Sequence, residues 1–111
     1  MKVIRSYFLG RKEISFDEFK REVERIFEET KRAKEVLQVK VHYYPHEGIA
    51  EVFVDQLMKS PFGELPLLSH YWVFIDADIQ QVVSFLESLL GAPKAREETP
   101  TSVLYFWKLY F

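Results

Sequence analysis

Hydrophobic positions along the chain alternate between two spacings, and the switches mark the elements. Lys2–Leu9 alternates at period two and predicts a strand, with Ile4 and Phe8 on one face and Val3, Arg5, Tyr7 and Leu9 on the other. Gly10–Glu13 reads as a connector. The spacing then becomes helical. Apolar residues recur at Phe16, Phe19, Val23, Ile26, Phe27 and Ala33, and Ser15 with Glu18 forms a capping box. Ile14 and Phe19 occupy the two positions of a hydrophobic staple across that cap. The outer face of this helix places opposite charges four apart, from Asp17 and Arg21 to Lys31 and Glu35, as a solvated face does.

Val36–Tyr44 returns to strict alternation: Leu37, Val39, Val41 and Tyr43 against Gln38, Lys40, His42 and Tyr44. A turn at Pro45–Gly48 leads to a second strand, Ile49–Leu57, closing a hairpin. Met58–Leu67 contains Pro61, Gly63 and Pro66 and predicts a loop; Leu68–Ile75 predicts a third hydrophobic strand. Asp78 caps a second helix whose buried stripe is Ile79, Val82, Val83, Leu86, Leu89 and Leu90, with Gly91 and Pro93 ending it. Ala92–Pro100 reads as a charged loop. The last stretch, Thr101–Phe111, is apolar and aromatic on both faces of a strand, so it predicts cover on both sides.

The resulting order is β-α-β-β-β-α-β. It predicts a single α+β domain over residues 1–111, a sandwich with two helices on one face of a mostly antiparallel sheet and the other face open. This architecture resembles the ferredoxin-like arrangement with one extra strand. That resemblance concerns architecture only, and the fold hosts many unrelated functions.

Composition narrows the function classes. Hydrophobic residues make up 48% and charged residues 29% of the 111, which is a globular composition. The formal net charge of −2 gives no general attraction to nucleic acid or to an anionic membrane. With no Cys, disulfide and thiolate chemistry are absent. No signal-peptide pattern or membrane-length apolar run occurs, so the expected location is cytoplasmic. Asn is also absent, and Glu, Lys and Arg are plentiful, the balance of a thermophilic protein.

No motif for catalysis stands out. His42 and His46 are four apart, but Pro45 between them prevents the helical spacing that zinc-binding histidine pairs use. Asp76 and Asp78 have a sufficient role at a helix N-terminus, and Glu51 and Asp55 are separated along one strand. Gly48–Val54 lacks the aromatics that stack RNA bases in recognition strands. The isolated glycines make no phosphate loop, and no serine has an activating neighbour. No cofactor and no metal are expected, and enzyme activity is not the leading expectation.

The open sheet face remains. If Leu37, Val39 and Val41 meet the helices, then Lys40, His42 and Tyr44 face outward, joined by Glu51 and Phe53. Arg5 and Tyr7, then His70, Trp72 and Phe74, and Phe106, Lys108 and Tyr110 are expected on the same face, with Trp107 the alternative to Phe106 in the last strand. Aromatics mixed with a few charges suit an interface or a pocket. The leading expectation is a non-enzymatic interaction module, homodimeric through this face or the C-terminal strand. The alternative is a small ligand-binding protein or enzyme of the dimeric α+β-barrel type, with a pocket between two facing sheets. A larger protein partner meeting the Met58–Leu67 loop or the open sheet is a third reading. Nucleic-acid and membrane partners are not expected.

Overall fold

A computed structural model describes residues 1–111. The elements are β1 (Lys2–Tyr7), β2 (Gly10–Ile14), α1 (Phe16–Ala33), β3 (Val36–Tyr44), β4 (Ile49–Ser60), β5 (Gly63–Ile75), α2 (Ile79–Leu90), β6 (Ala95–Glu98) and β7 (Val103–Tyr110). All the strands join one seven-stranded sheet in the order β2-β1-β5-β4-β3-β7-β6, and every neighbouring pair is antiparallel. The α+β class with two helices holds.

The β-α-β-β-β-α-β order does not hold, nor does the ferredoxin-like strand order. Two short strands, β2 and β6, stand where the hydrophobic pattern predicts a connector and a loop. Their presence follows from strand direction. With every neighbour antiparallel, β1 opposes β3 and β5 opposes β7. A helix that crosses a sheet and returns in the same layer joins parallel strands. Strand β2 reverses the chain before α1, so that α1 joins the parallel pair β2 and β3. Strand β6 does the same after α2, so that α2 joins the parallel strands β5 and β6, at different positions in the sheet, before the chain turns into β7. Both added strands are short edge strands made mainly of polar and charged residues, which is why hydrophobic pattern alone passed over them.

Helix α1 forms as the capping box dictates. Ser15 accepts a hydrogen bond from the Glu18 N–H at 3.0 Å, and Lys34 closes the helix in the left-handed conformation with φ 55°. Of the charge pairs along its outer face, Arg25–Glu29 closes at 3.0 Å, while Asp17 meets Lys20 instead. Asp78 caps α2 by accepting from the Gln81 N–H at 3.2 Å.

Phe19, Val23 and Ile26 of α1, and Val82 and Leu86 of α2, are fully buried against Val39, Val41, Val52, Val54, Trp72 and Phe74 of the sheet. Phe19 meets both Trp72 and Phe74 edge-on, at 5.2 and 4.9 Å between ring centres. Trp107 joins this core, and its indole N–H donates to the Gly91 carbonyl at 2.8 Å, tying β7 to the C-terminal end of α2. No helix is long and apolar enough to cross a membrane.

The Met58–Leu67 segment is not a loop. Strands β4 and β5 continue through it and turn at Pro61–Phe62, with Ser60 paired to Gly63. Pairing of β5 with β1 stops at Ser6–Tyr71, and pairing of β4 with β3 stops at Leu57–Val36. The hairpin therefore projects past the body of the sheet as a two-stranded arm. Its prolines sit where a free strand edge and a turn tolerate them.

Candidate functional site

Strand pairing fixes which side chains share the uncovered face. One register row runs Ser6, Tyr71, Phe53, Lys40, Phe106 across five strands. The next row in the same orientation runs Ile4, Val73, Glu51, His42, Leu104. All of these are half-buried, with no helix above them. Of the residues expected on this face, Lys40, His42, Tyr44, Glu51, Phe53, Phe106, Lys108 and Tyr110 are there. Arg5, Tyr7, His70, Trp72, Phe74 and Trp107 have the opposite parity and belong to the helix side.

The corrections in β5 and β7 share one cause. In β5 and β7 both halves of the alternation are apolar, so pattern cannot choose between them. Packing chooses by size: Trp72, Phe74 and Trp107 fill the space under the helices, leaving Tyr71, Val73 and Phe106 outside. In β1, Arg5 lies on the helix side because Glu22 of α1 comes down to meet it. Sequence reasoning missed Tyr71, Val73, Ile4 and Leu104. The signal that could have found Tyr71 and Val73 is that they are the lighter half of their strand.

On the uncovered face, aromatic rings form a chain. Tyr71 lies 4.8 Å from Phe53, Phe53 lies 5.8 Å from His42, and His42 lies 6.4 Å from Tyr44, ring centre to ring centre. Glu51 is set among them and accepts a hydrogen bond from the Tyr71 hydroxyl. Burial, followed by this bond and the Glu51 charge, pushes the Tyr71 phenol up to about 12. Tyr44 is also raised, first by burial and then by Glu51. Both phenols stay protonated near neutrality and act as donors.

The arm bounds one end of the face. Glu64 on β5 accepts a hydrogen bond from the Tyr110 hydroxyl at 3.3 Å and pairs with Lys108 at 2.6 Å, both on β7. Two strands, β4 and β3, lie between β5 and β7 in the sheet. At a strand spacing of about 4.8 Å, a flat sheet would hold these residues about 14 Å apart. The arm must therefore curl over the uncovered face, and the register shift between Gln56 and Leu57 marks where it bends. Lys59 adds a bond from its ammonium to the Phe111 carbonyl at 2.5 Å. Val36 confirms the curl. It has open-face parity, yet it is fully buried. The Lys108 bond holds the Glu64 carboxyl below its ordinary value, and Glu64 raises the Lys108 ammonium in turn.

Behind the sheet, between β1, β5, β4 and α1, a line of polar groups runs in one direction. Arg5 donates from Nε to Glu22 at 3.1 Å and from Nη2 to Nδ1 of His70 at 2.9 Å. Because Nδ1 accepts, the proton of the neutral ring sits on Nε2, which donates to Gln56 Oε1 at 3.0 Å. Gln56 then donates to Thr30 Oγ1 at 3.1 Å, and Thr30 donates to the Ile26 carbonyl at 2.7 Å. The Arg5 guanidinium lies 4.4 Å from the Trp72 ring centre. Burial, then the charges of Arg5 and Arg25, bring His70 down to about 4, so the imidazole is neutral at pH 7. Each member of this line has a partner, as a structural network requires.

No group of three or more acidic or histidine side chains is arranged to hold a metal ion. A cleft of about 490 Å³ lies elsewhere, between α2 and the β6–β7 edge, lined by Val83, Ser84, Glu87, Arg96 and Tyr105 among others. It touches neither the aromatic chain nor the His70 line. Compared with protein-family models, curated proteins and solved structures, the chain finds no significant match in any.

Proposed function

We propose that the protein is an interaction module that forms a homodimer by stacking the uncovered sheet faces of two copies. The observation that carries this reading is the aromatic chain Tyr71–Phe53–His42–Tyr44, which with Phe106 and Leu104 spreads over adjacent strands with no covering layer. Sheets pack face to face at about 10 Å through such side chains. Seven strands at about 4.8 Å and six residues at about 3.3 Å give a projected face of roughly 700 Å², close to the ~800 Å² per partner of a stable interface. Charges on the face are of both signs, with Lys40 and Lys108 against Glu51 and Asp55, so two copies do not repel as wholes. β7 lies between β3 and β6, so its backbone is paired on both sides, which favours the face over the C-terminal strand as the contact.

Light scattering coupled to size exclusion tests the reading. The expected result is a dimer at about 10 µM that becomes monomeric when Phe53 and Phe106 are both changed to Ser. A strict monomer before mutation overturns it.

A second reading, a ligand pocket between the stacked sheets, is favoured by the Tyr44–Glu51–Tyr71 group. A carboxylate flanked by two protonated phenols would receive a cationic or hydrogen-bond-donating ligand. Arg5 and His70, lying behind the sheet, supply nothing to such a pocket. Chemical-shift changes at Glu51, Tyr44 and Tyr71 on titration with small alkylamines would support it, and their absence would leave the dry interface.

A further inference from the structure

We propose that the β4–β5 arm is one half of a reciprocal clasp between two copies of this chain, in which the Phe62 tip of each copy docks on the Phe8–Leu9 turn of the other. The inference rests on the stacked-face homodimer and adds its symmetry axis and its second contact.

The two surfaces are unusual on their own. Phe8 is 101% exposed, Leu9 93% and Phe62 97%, and all three sit on tight turns between strands. Leu65, Leu67 and Leu68 along the arm are 46%, 50% and 58% exposed. At roughly 200 Å² for a large side chain, these six leave about 900 Å² of apolar surface in water. Divided between the turn and the arm, that sum is comparable to what each side of a stable interface covers, ~800 Å².

Their positions are related through the sheet. β4 is the central strand, with β1 and β7 each two strands away on opposite sides. The register rows put the Phe8–Leu9 turn, just past Ser6 and Tyr7, at the same end of the sheet as Lys108 and Tyr110. The curled arm reaches that end of β7 through Glu64 and rises on the uncovered side. Now let a second copy stack on this face about a two-fold axis running along β4. Its β1 then lies over the first copy's β7, with the same end leading. Its Phe8–Leu9 turn meets the first copy's arm, and symmetry repeats the contact at the other edge. An axis running across the strands would bring the turn over the opposite end and leave both patches in water.

The contact is made by side chains rather than by an added strand. Pro66 brings no N–H to the free edge of β5, and the Glu64 carboxylate is already held by Lys108 and Tyr110. An occupant that covers Phe62 is therefore apolar, as the Phe8–Leu9 turn of a second copy is.

The chain has no cysteine, so single cysteines report proximity cleanly. Full-length Leu9→Cys and Phe62→Cys proteins are mixed and oxidised. The expected result is a disulfide-linked dimer in the mixture, and little from either protein alone. In parallel, Phe8→Ser with Leu9→Ser, and Phe62→Ser alone, should each weaken dimerisation by about tenfold while leaving far-UV circular dichroism unchanged. A dimer that gives no mixed crosslink, or that keeps its affinity in these variants while Phe53→Ser with Phe106→Ser dissociates it, overturns the clasp and leaves the stacked face standing. Dissociation by the turn and tip variants alone, with Phe53→Ser plus Phe106→Ser keeping full affinity, overturns the stacked face and with it the two-fold placement of the clasp. A monomeric wild type overturns both.

Discussion

Phe106 and Trp107 are neighbours in sequence and belong to opposite sides of the protein. Trp107 is 1% exposed among the helices and donates to the Gly91 carbonyl, while Phe106 stands half-buried on the uncovered face beside Lys40. Trp107→Ala should cost about 3–5 kcal/mol, from the cavity and the lost bond to the end of α2. Phe106→Ser should cost the monomer under about 1 kcal/mol, because its face is not packed against a helix. Urea denaturation of each variant at low protein concentration checks the contrast.

Protonation of His70 should destabilise the fold. The folded protein holds the imidazole neutral down to about 4, whereas an unfolded chain binds the proton near the ordinary histidine value of 6.5. Between those values the unfolded state carries more protons, so stability present above about pH 6.5 is lost as pH falls toward 4. Discounted for the partial exposure of the ring, the loss is on the order of 1–2 kcal/mol. Thermal unfolding from pH 7.5 to 4 should show this slope, superimposed on that of the carboxylates. His70→Gln should flatten it by that amount; an unchanged profile would rule out the assignment.

Arg5 and Glu22 form an ion pair at 3.1 Å with side chains only 8% and 21% exposed. Glu22→Gln should destabilise by about 1–3 kcal/mol, because the guanidinium stays buried without its counter-charge. Arg5→Met with Glu22→Gln should recover part of that loss. Chemical denaturation of the single and double variants gives the coupling directly.

The arm should be released by a surface change. Glu64→Ala removes both the Lys108 and the Tyr110 contacts, while Lys59 keeps its bond to Phe111. Global stability should change little, because surface ion pairs contribute little. Limited proteolysis should nonetheless speed up within residues 57–68, and amide exchange there should rise. Equal rates in both proteins would mean that the curl does not depend on Glu64.

What was legible in the sequence were the elements whose information is local. Ser15, Glu18 and Asp78 announced the helix starts because a cap is satisfied within one turn. The parity of β3 was legible because its polar half, Gln38, Lys40 and His42, is polar throughout. Eight residues of the expected face set, from Lys40 to Tyr110, follow from that one strand and its partners. The sequence by itself thus determined two helices, a β3–β4 hairpin and an α+β class with one uncovered face.

Only the tertiary structure decided the rest. Whether Trp72 or Tyr71 turns inward depends on volume under α1, contributed by Phe19 from a distant part of the chain. Arg5 is buried because Glu22, 17 residues away, supplies its charge partner. Strands β2 and β6 carry almost no hydrophobic signal, and they exist because antiparallel neighbours force the chain to reverse beside each helix. The arm's curl rests on Glu64 meeting Lys108 across two intervening strands. Each of these is a contact between remote segments, and a one-dimensional pattern holds no term for it.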